Sequence, residues 1–165
     1  MPQPGGRPPT PASHVLGAAG HLLDPDAKED GVGESTKVSA GGRSMLLTGD
    51  IEMPAEAELV RRSATALAER GHATLAADVL LVPHHGSRTS SSAEFLAAVG
   101  PAAAVVPVGY RNRFGHPDAE VLGRYSSMDI RIFRTDRDGA VTVGLSGEGV
   151  AMKGERQQRR RYWHD

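Results

Sequence analysis

The stretch Ala77-Asp78-Val79-Leu80-Leu81-Val82-Pro83-His84-His85-Gly86-Ser87 decides the architecture. Residues 78–82 form a short, continuous apolar run, the signature of a strand covered on both faces. Pro83 ends it, because proline cannot donate to a sheet ladder. Two histidines and a glycine then follow at what should be the strand's C-terminal end. The same grammar occurs on either side. Upstream, Met45-Leu46-Leu47 runs into Thr48-Gly49-Asp50; downstream, residues 102–108 run into a polar loop that ends in Gly115-His116-Pro117.

Helical segments separate these strands. Residues 54–70 have Pro54 suited to a first turn, and Glu56 and Glu58 at the end where the helix dipole favours acids. Leu59, Ser63, Ala66 and Leu67 share one face, and Gly71 is a natural stop. Residues 90–99 predict a second helix capped by Ser90, Ser91 or Ser92, with Phe95, Leu96 and Val99 facing inward. Residues 118–125 predict a third. Residues 130–134 and 140–143 read as strands, and Asp138-Gly139 between them is a hairpin signal. The order β-α-β-α-β-α-β-β implies an α/β layered domain, in which chemistry gathers on loops beyond the strand ends.

The rest of the chain is plainer. Its 165 residues suffice for one domain with a real core. Residues 1–40 read as a disordered or irregular N-terminal segment, although 37–39 suggest a short edge strand before the Gly41-Gly42 turn. Residues 41–147 form the domain, and 148–165 a basic tail carrying Arg156, Arg159, Arg160 and Arg161. Such a cluster either stays solvated or meets phosphate. A formal net charge of -1 gives the whole chain no strong bias toward nucleic acid. With no cysteine, disulfides and thiolate metal sites are excluded. No run approaches the ~20 apolar residues of a membrane span, and no signal peptide is seen, so the piece is expected to be soluble.

Each of the three polar loops offers a metal ligand: Asp50 in the first, His84 and His85 in the second, His116 in the third. Carboxylate and imidazole suit zinc, manganese or iron. Asp50 also precedes a helix and serves equally as a cap. Two adjacent imidazoles in a glycine-containing turn are costly to bury unless something uses their nitrogens, and either a metal or a phosphate would do so. Ser87, Thr89 and Ser90 add hydroxyls near a helix start. Arg111, Asn112 and Arg113 either hold a phosphate oxygen or form an exposed polar loop.

Taken in order, Leu46-Leu47-Thr48-Gly49-Asp50-Ile51-Glu52, the Ala77–Ser87 stretch, Val108-Gly109-Tyr110-Arg111-Asn112-Arg113-Phe114-Gly115-His116-Pro117 and Arg134-Thr135-Asp136-Arg137-Asp138-Gly139 resemble the C-terminal domain of the ComEC DNA-uptake family. The tail Arg-Arg-Arg-Tyr-Trp-His is similar to proteobacterial ComEC C-termini. The resemblance covers about residue 41 to the end.

The resemblance implies the second half of a metallo-β-lactamase-like αββα sandwich. It implies a metal-dependent hydrolase, a phosphodiesterase or nuclease acting on DNA during natural transformation, with one or two zinc or manganese ions. By the same resemblance Asp50, His84 and His85 are the metal-site residues, with the sequence not saying which of the two histidines faces the metal, and Asp50 and His116 are catalytic. Ser87, Asn112, Arg113 and His116 contact substrate. Its implied partners are DNA, without sequence specificity, a transmembrane channel region in the bacterial inner membrane, and an upstream half-domain.

The chain departs from the family pattern in one place. The superfamily's first metal motif, His-x-His-x-Asp-His with Asp allowed at the third position, does not occur in it; only His14 and His21 lie upstream of Asp50. The family's Asn-Asp-x-Ser-rich strand is replaced by the more polar Gly33-Glu34-Ser35-Thr36-Lys37-Val38-Ser39. The expectations are a sheet face left exposed where the other half would pack, and weak or absent activity of the chain alone. A non-catalytic DNA-handling or assembly module with a degenerate site, and a metallo-hydrolase of another substrate class, are the alternatives. A plain doubly wound binding domain would require the three loops to lie apart.

Overall fold

In the computed structural model, the apolar run at 78–82 becomes β5 (Val79–Leu81), and it lies inside a six-stranded sheet. The structure describes residues 13–16, 28–32, 35–71 and 75–158. The leading Pro/Gly-rich segment, the Leu22-Leu23 piece, His21 and the tail from Arg159 to His164 lie outside the described residues.

The elements follow in chain order: β1 (Ser13–Leu16), β2 (Lys28–Val32), β3 (Ser35–Ala40), β4 (Arg43–Leu47), α1 (Met53–Arg70), β5, α2 (Ala93–Val99), β6 (Ala103–Val106), α3 (Ala119–Ser127), β7 (Arg131–Arg134), a single turn α4 (Thr135–Asp138), β8 (Val141–Ser146), β9 (Gly149–Gly154) and a last turn α5 (Glu155–Gln158). The large sheet has the order β2-β3-β4-β5-β6-β7. Its first two pairings are antiparallel, and β4 through β7 run parallel. A small antiparallel sheet has the order β1-β8-β9.

The parallel strands read as continuous apolar runs because both their faces are covered. On one face, α1, α2 and α3 pack Leu59, Phe95, Leu96, Val99, Val121 and Tyr125 against Leu46, Leu80, Ala104 and Val106. On the other, Met45, Val79, Val105 and Phe133 meet Val141, Val143 and Leu145 of β8. The result is an α/β layered fold of helices, large sheet and small sheet. The expected bare sheet face is therefore corrected: β8 covers it with apolar side chains, each of which contributes about 1.5–3 kcal/mol when fully buried.

Four other expectations change. Residues 37–39 do not form an edge strand, since β3 lies between β2 and β4. The N-terminal segment is not wholly irregular, because it contains β1, β2 and β3. The basic tail begins later than residue 148, because β9 occupies the start of that stretch and pairs with β8. Asp138-Gly139 does not join a hairpin: β7 pairs in parallel with β6, and the chain crosses at α4 into the small sheet. Asp138 ends that turn by accepting the Arg134 amide at 2.8 Å.

The helices form as expected, with one shift of face. Gly71 closes α1 in the left-handed conformation, its amide donating to the Leu67 carbonyl. Ser92, of the three candidate serines, caps α2 by accepting from the Phe95 amide. The inward face of α1 carries Glu56, Leu59 and Ser63, whereas Leu67 is 51% exposed. Glu56 is fully buried and accepts the amides of Ser91 (2.5 Å) and Ser92 (2.8 Å). A carboxylate of one helix thus satisfies the free donors at the start of the next. No described helix is long and apolar enough to cross a membrane.

Candidate functional site

Parallel strands with all their crossover helices on one face place every strand end of one kind along one edge. The loops after β4, β5 and β6 meet at that edge and are stitched together through their backbones. The His84 amide donates to the Gly49 carbonyl at 3.0 Å, and the Asp118 amide to the Gly86 carbonyl at 2.9 Å. The Thr48 hydroxyl donates to the Leu81 carbonyl at 2.7 Å. The three loops therefore lie together, which removes the basis for the plain binding-domain alternative.

The second loop is a strained turn. His84 (φ 47°) and His85 (φ 56°) both take the left-handed region, which costs a non-glycine residue about 1–2 kcal/mol. Gly86 follows at φ 79°, and a Cβ there would stand 2.6 Å from Pro117 Cβ. Glycine is required so that this turn can dock against the His116-Pro117 segment.

The turn sends its two imidazoles to different carboxylates. His85 Nε2 lies 3.6 Å from Asp50 Oδ1. Its Nδ1 is 2.5 Å from the Pro107 carbonyl, which can only accept, so Nδ1 carries the proton. With its proton on Nδ1, the ring turns Nε2 toward a carboxylate, an arrangement that a cation or a proton between the two atoms would satisfy. His84 Nδ1 is shielded from solvent and lies 3.1 Å from Glu52 Oε1, out of line for a hydrogen bond. Glu52 Oε1 also accepts from the Thr89 hydroxyl at 3.0 Å.

His116 stands on the far side, its ring centroid 6.4 Å from that of His84 and 6.3 Å from that of Phe114, nearly parallel to the latter. Asn112 fixes this segment with two bonds: its Nδ2 donates to the His116 carbonyl (2.7 Å), and its Oδ1 accepts the His116 amide (3.0 Å). Its amide group is thus engaged in shaping the loop. A cleft lined by His85, Pro107, Val108, Asn112, Phe114 and His116 lies beneath. Ser87 is buried, and its hydroxyl pairs with that of Thr89 at 3.1 Å instead of facing the cleft. Arg113 is exposed.

The structure thus brings Asp50 to His85 and leaves His84 with Glu52 and His116. Among the described residues, no three His, Cys, Asp or Glu side chains gather closely enough to hold one ion. The Asp50–His85 pair fits half of such a shell. Two ligand atoms about 2.1 Å from a tetrahedral ion stand about 3.4 Å apart, close to the separation here. The Pro107 carbonyl behind His85 is the kind of partner that orients a metal-binding imidazole. Glu52 and Phe114 were missed as site residues. Glu52 sits two residues beyond Asp50 in the quoted motif, a spacing that gave no hint of which histidine it would face.

No protein-family model matches the chain. Competence protein ComA of Neisseria gonorrhoeae is 40% identical over 114 residues, 69% of this chain and 15% of that protein. ComE operon protein 3 of Bacillus subtilis is 33% identical over 125 residues, 73% of the chain and 15% of that protein. The uncharacterized protein YcaI of Escherichia coli is 35% identical over 128 residues, 78% of the chain and 16% of that protein. The chain spans about one sixth of the length of these relatives. With its three loop motifs in order and at one sheet edge, the chain belongs, as a segment, to the ComEC family of competence proteins.

Proposed function

We propose that this segment serves DNA uptake in transformation and carries one half of a metallo-β-lactamase-like hydrolytic site for DNA phosphodiesters. The observation that carries the proposal is the Asp50–His85 pair: 3.6 Å between ligand atoms, at a parallel-sheet edge, with the ring held by Pro107. The printed names of two relatives, a competence protein and a competence-operon protein, support the DNA-uptake context.

Asp50 and His85 would hold a divalent zinc or manganese ion. When bound, such an ion lowers the pKa of a coordinated water toward ~7 and polarises a phosphoryl oxygen. The chain's own residues do the rest. Pro107 fixes the His85 tautomer. Glu52 and His84 form a second acid–imidazole arm able to take or return a proton. His116, held by Asn112 and backed by Phe114, and the exposed Arg113 face the substrate side and meet the charge of a phosphate. The remaining ligands would come from an upstream half-domain. The neighbouring channel region of the full-length family would deliver the DNA in the inner membrane.

One observation favours a second reading, a DNA-handling module without catalysis: catalytic zinc sites use three protein ligands, and the described residues offer no such trio. Metal titration calorimetry and oligonucleotide cleavage on the full chain separate the two. The half-site reading expects one weak ion per chain, weakened at least about tenfold by Asp50→Asn or His85→Gln, the scale seen for outer-shell partners alone. It expects negligible cleavage. Titrations unchanged by both substitutions would remove the site, and zinc- or manganese-dependent cleavage abolished by Asp50→Ala would make the chain a complete enzyme.

A further inference from the structure

Aromatic side chains are scarce in this chain: three Phe, three Tyr and one Trp. Phe95, Tyr125 and Phe133 are buried, as hydrophobic burial requires. Tyr110 and Phe114 are instead 67% and 76% exposed, and both lie on the loop after β6. Burial normally takes such rings first, so two on one short exposed loop form a candidate contact surface.

The loop is not loose. Asn112 clamps His116 at both backbone atoms, the Asn112 amide donates to the Gly109 carbonyl (3.2 Å), and the Val108 amide donates to the Thr135 hydroxyl (2.8 Å). Phe114 has one face backed by the nearly parallel His116 ring, at 19° between planes. Its exposure leaves the opposite face available. Tyr110 holds two guanidinium groups by cation–π contact, Arg111 at 5.2 Å and Arg156 at 5.7 Å from its ring centre. Arg156 is further fixed by donating to the Asp136 and Arg137 carbonyls. Residues 109–116 include Arg111 and Arg113 and no acid.

An exposed apolar ring on the same loop as Tyr110, which carries two guanidinium groups, matches one ligand class: an unpaired nucleobase with its flanking phosphates. Resting on the DNA reading above, we propose that residues 109–116 form a base-stacking subsite for single-stranded nucleic acid. The Phe114 ring receives a base, and the arginines arranged on Tyr110 meet the backbone. Bases inside a duplex are already stacked and present no free face, so the subsite selects single strands. Stacking tolerates any sequence, in keeping with DNA binding without sequence specificity.

The test is fluorescence anisotropy of the full chain, in EDTA, with a labelled single-stranded oligonucleotide, an abasic oligonucleotide of equal length and the corresponding duplex. Phe114→Ala should weaken single-strand binding about tenfold and leave the abasic strand unchanged. Phe114→Trp should restore it. Arg156→Ala should weaken both strands and flatten the salt dependence. Equal affinity for single-stranded and abasic oligonucleotides, or no effect of Phe114→Ala, would overturn the subsite while the DNA reading stands. No binding of any of the three at low salt would overturn both.

Discussion

Replacing Glu56 by alanine tests whether the helical layer and the site loop are built as one unit. The carboxylate is fully buried between α1 and α2 and accepts the Ser91 and Ser92 amides. Ser91 in turn pairs its hydroxyl with Tyr125 at 3.1 Å, and the Arg124 guanidinium donates to the Ser90 and Ser91 carbonyls. Alanine leaves the buried Ser91 amide and the partly buried Ser92 amide without acceptors. Each orphaned donor costs about 1–3 kcal/mol, so the expected loss is about 3–5 kcal/mol once the vacated volume is added. Against a typical stability of about 5–15 kcal/mol this is a large fraction, and it corresponds to a fall in Tm of roughly 10 °C for a chain of this length. Urea and thermal denaturation measure it directly. Glu56→Gln keeps the volume and one acceptor oxygen but turns an amide donor toward the helix start, so it should fall between the two. A Glu56→Ala protein within about 0.5 kcal/mol of the parent would refute the reasoning, because it would mean that those amides find other partners.

Gly86→Ala should destabilise by about 2–4 kcal/mol and loosen the site. The added Cβ meets Pro117 at 2.6 Å, and the residue sits at φ 79°, so strain and clash add; denaturation combined with hydrogen exchange at the Asp118 amide would show both effects, and full retention of that amide's protection would count against the docking described. On α1, the Arg61 and Arg62 guanidiniums hold the Glu58 carboxyl down from 4.5 to about 2. A depressed carboxyl contributes stability that is present above its unfolded pKa and lost as pH falls through the folded value. The window is therefore about pH 4.5 down to 2. The pair is exposed, so the effect is small and salt-sensitive; Glu58→Gln should flatten the stability–pH slope in that window, measured at low salt, and an unchanged slope would remove the pair's role.

How much was legible in the sequence depended on whether the cause was local. The strands at β4, β5 and β6, the ends of α1 and α2, and the three loop motifs were readable, because apolar runs, a left-handed glycine and a serine cap act through neighbours in the chain. The same locality misled at Asp138-Gly139. That dipeptide suits a hairpin, but Val105 and Phe133 share a core on one side of the sheet while β7 pairs with β6, and those distant contacts overrode the turn signal. β9 went unread beside a basic tail because its pattern, half-buried at three positions and exposed at two, is that of an edge strand.

By itself, the order of residues determined the layered α/β class, the family resemblance and the gathering of Asp50, His84, His85 and His116 on strand-end loops. Only tertiary structure decided which carboxylate each histidine faces, that Glu56 caps a helix it does not belong to, that Ser87 turns inward, and that Phe114 stands exposed on His116. The physical reason is that periodicity and capping are energies of adjacent residues. Pairing across 30 or more positions is set by how the layers close, and a side chain's partner is known only after the backbone has brought it there.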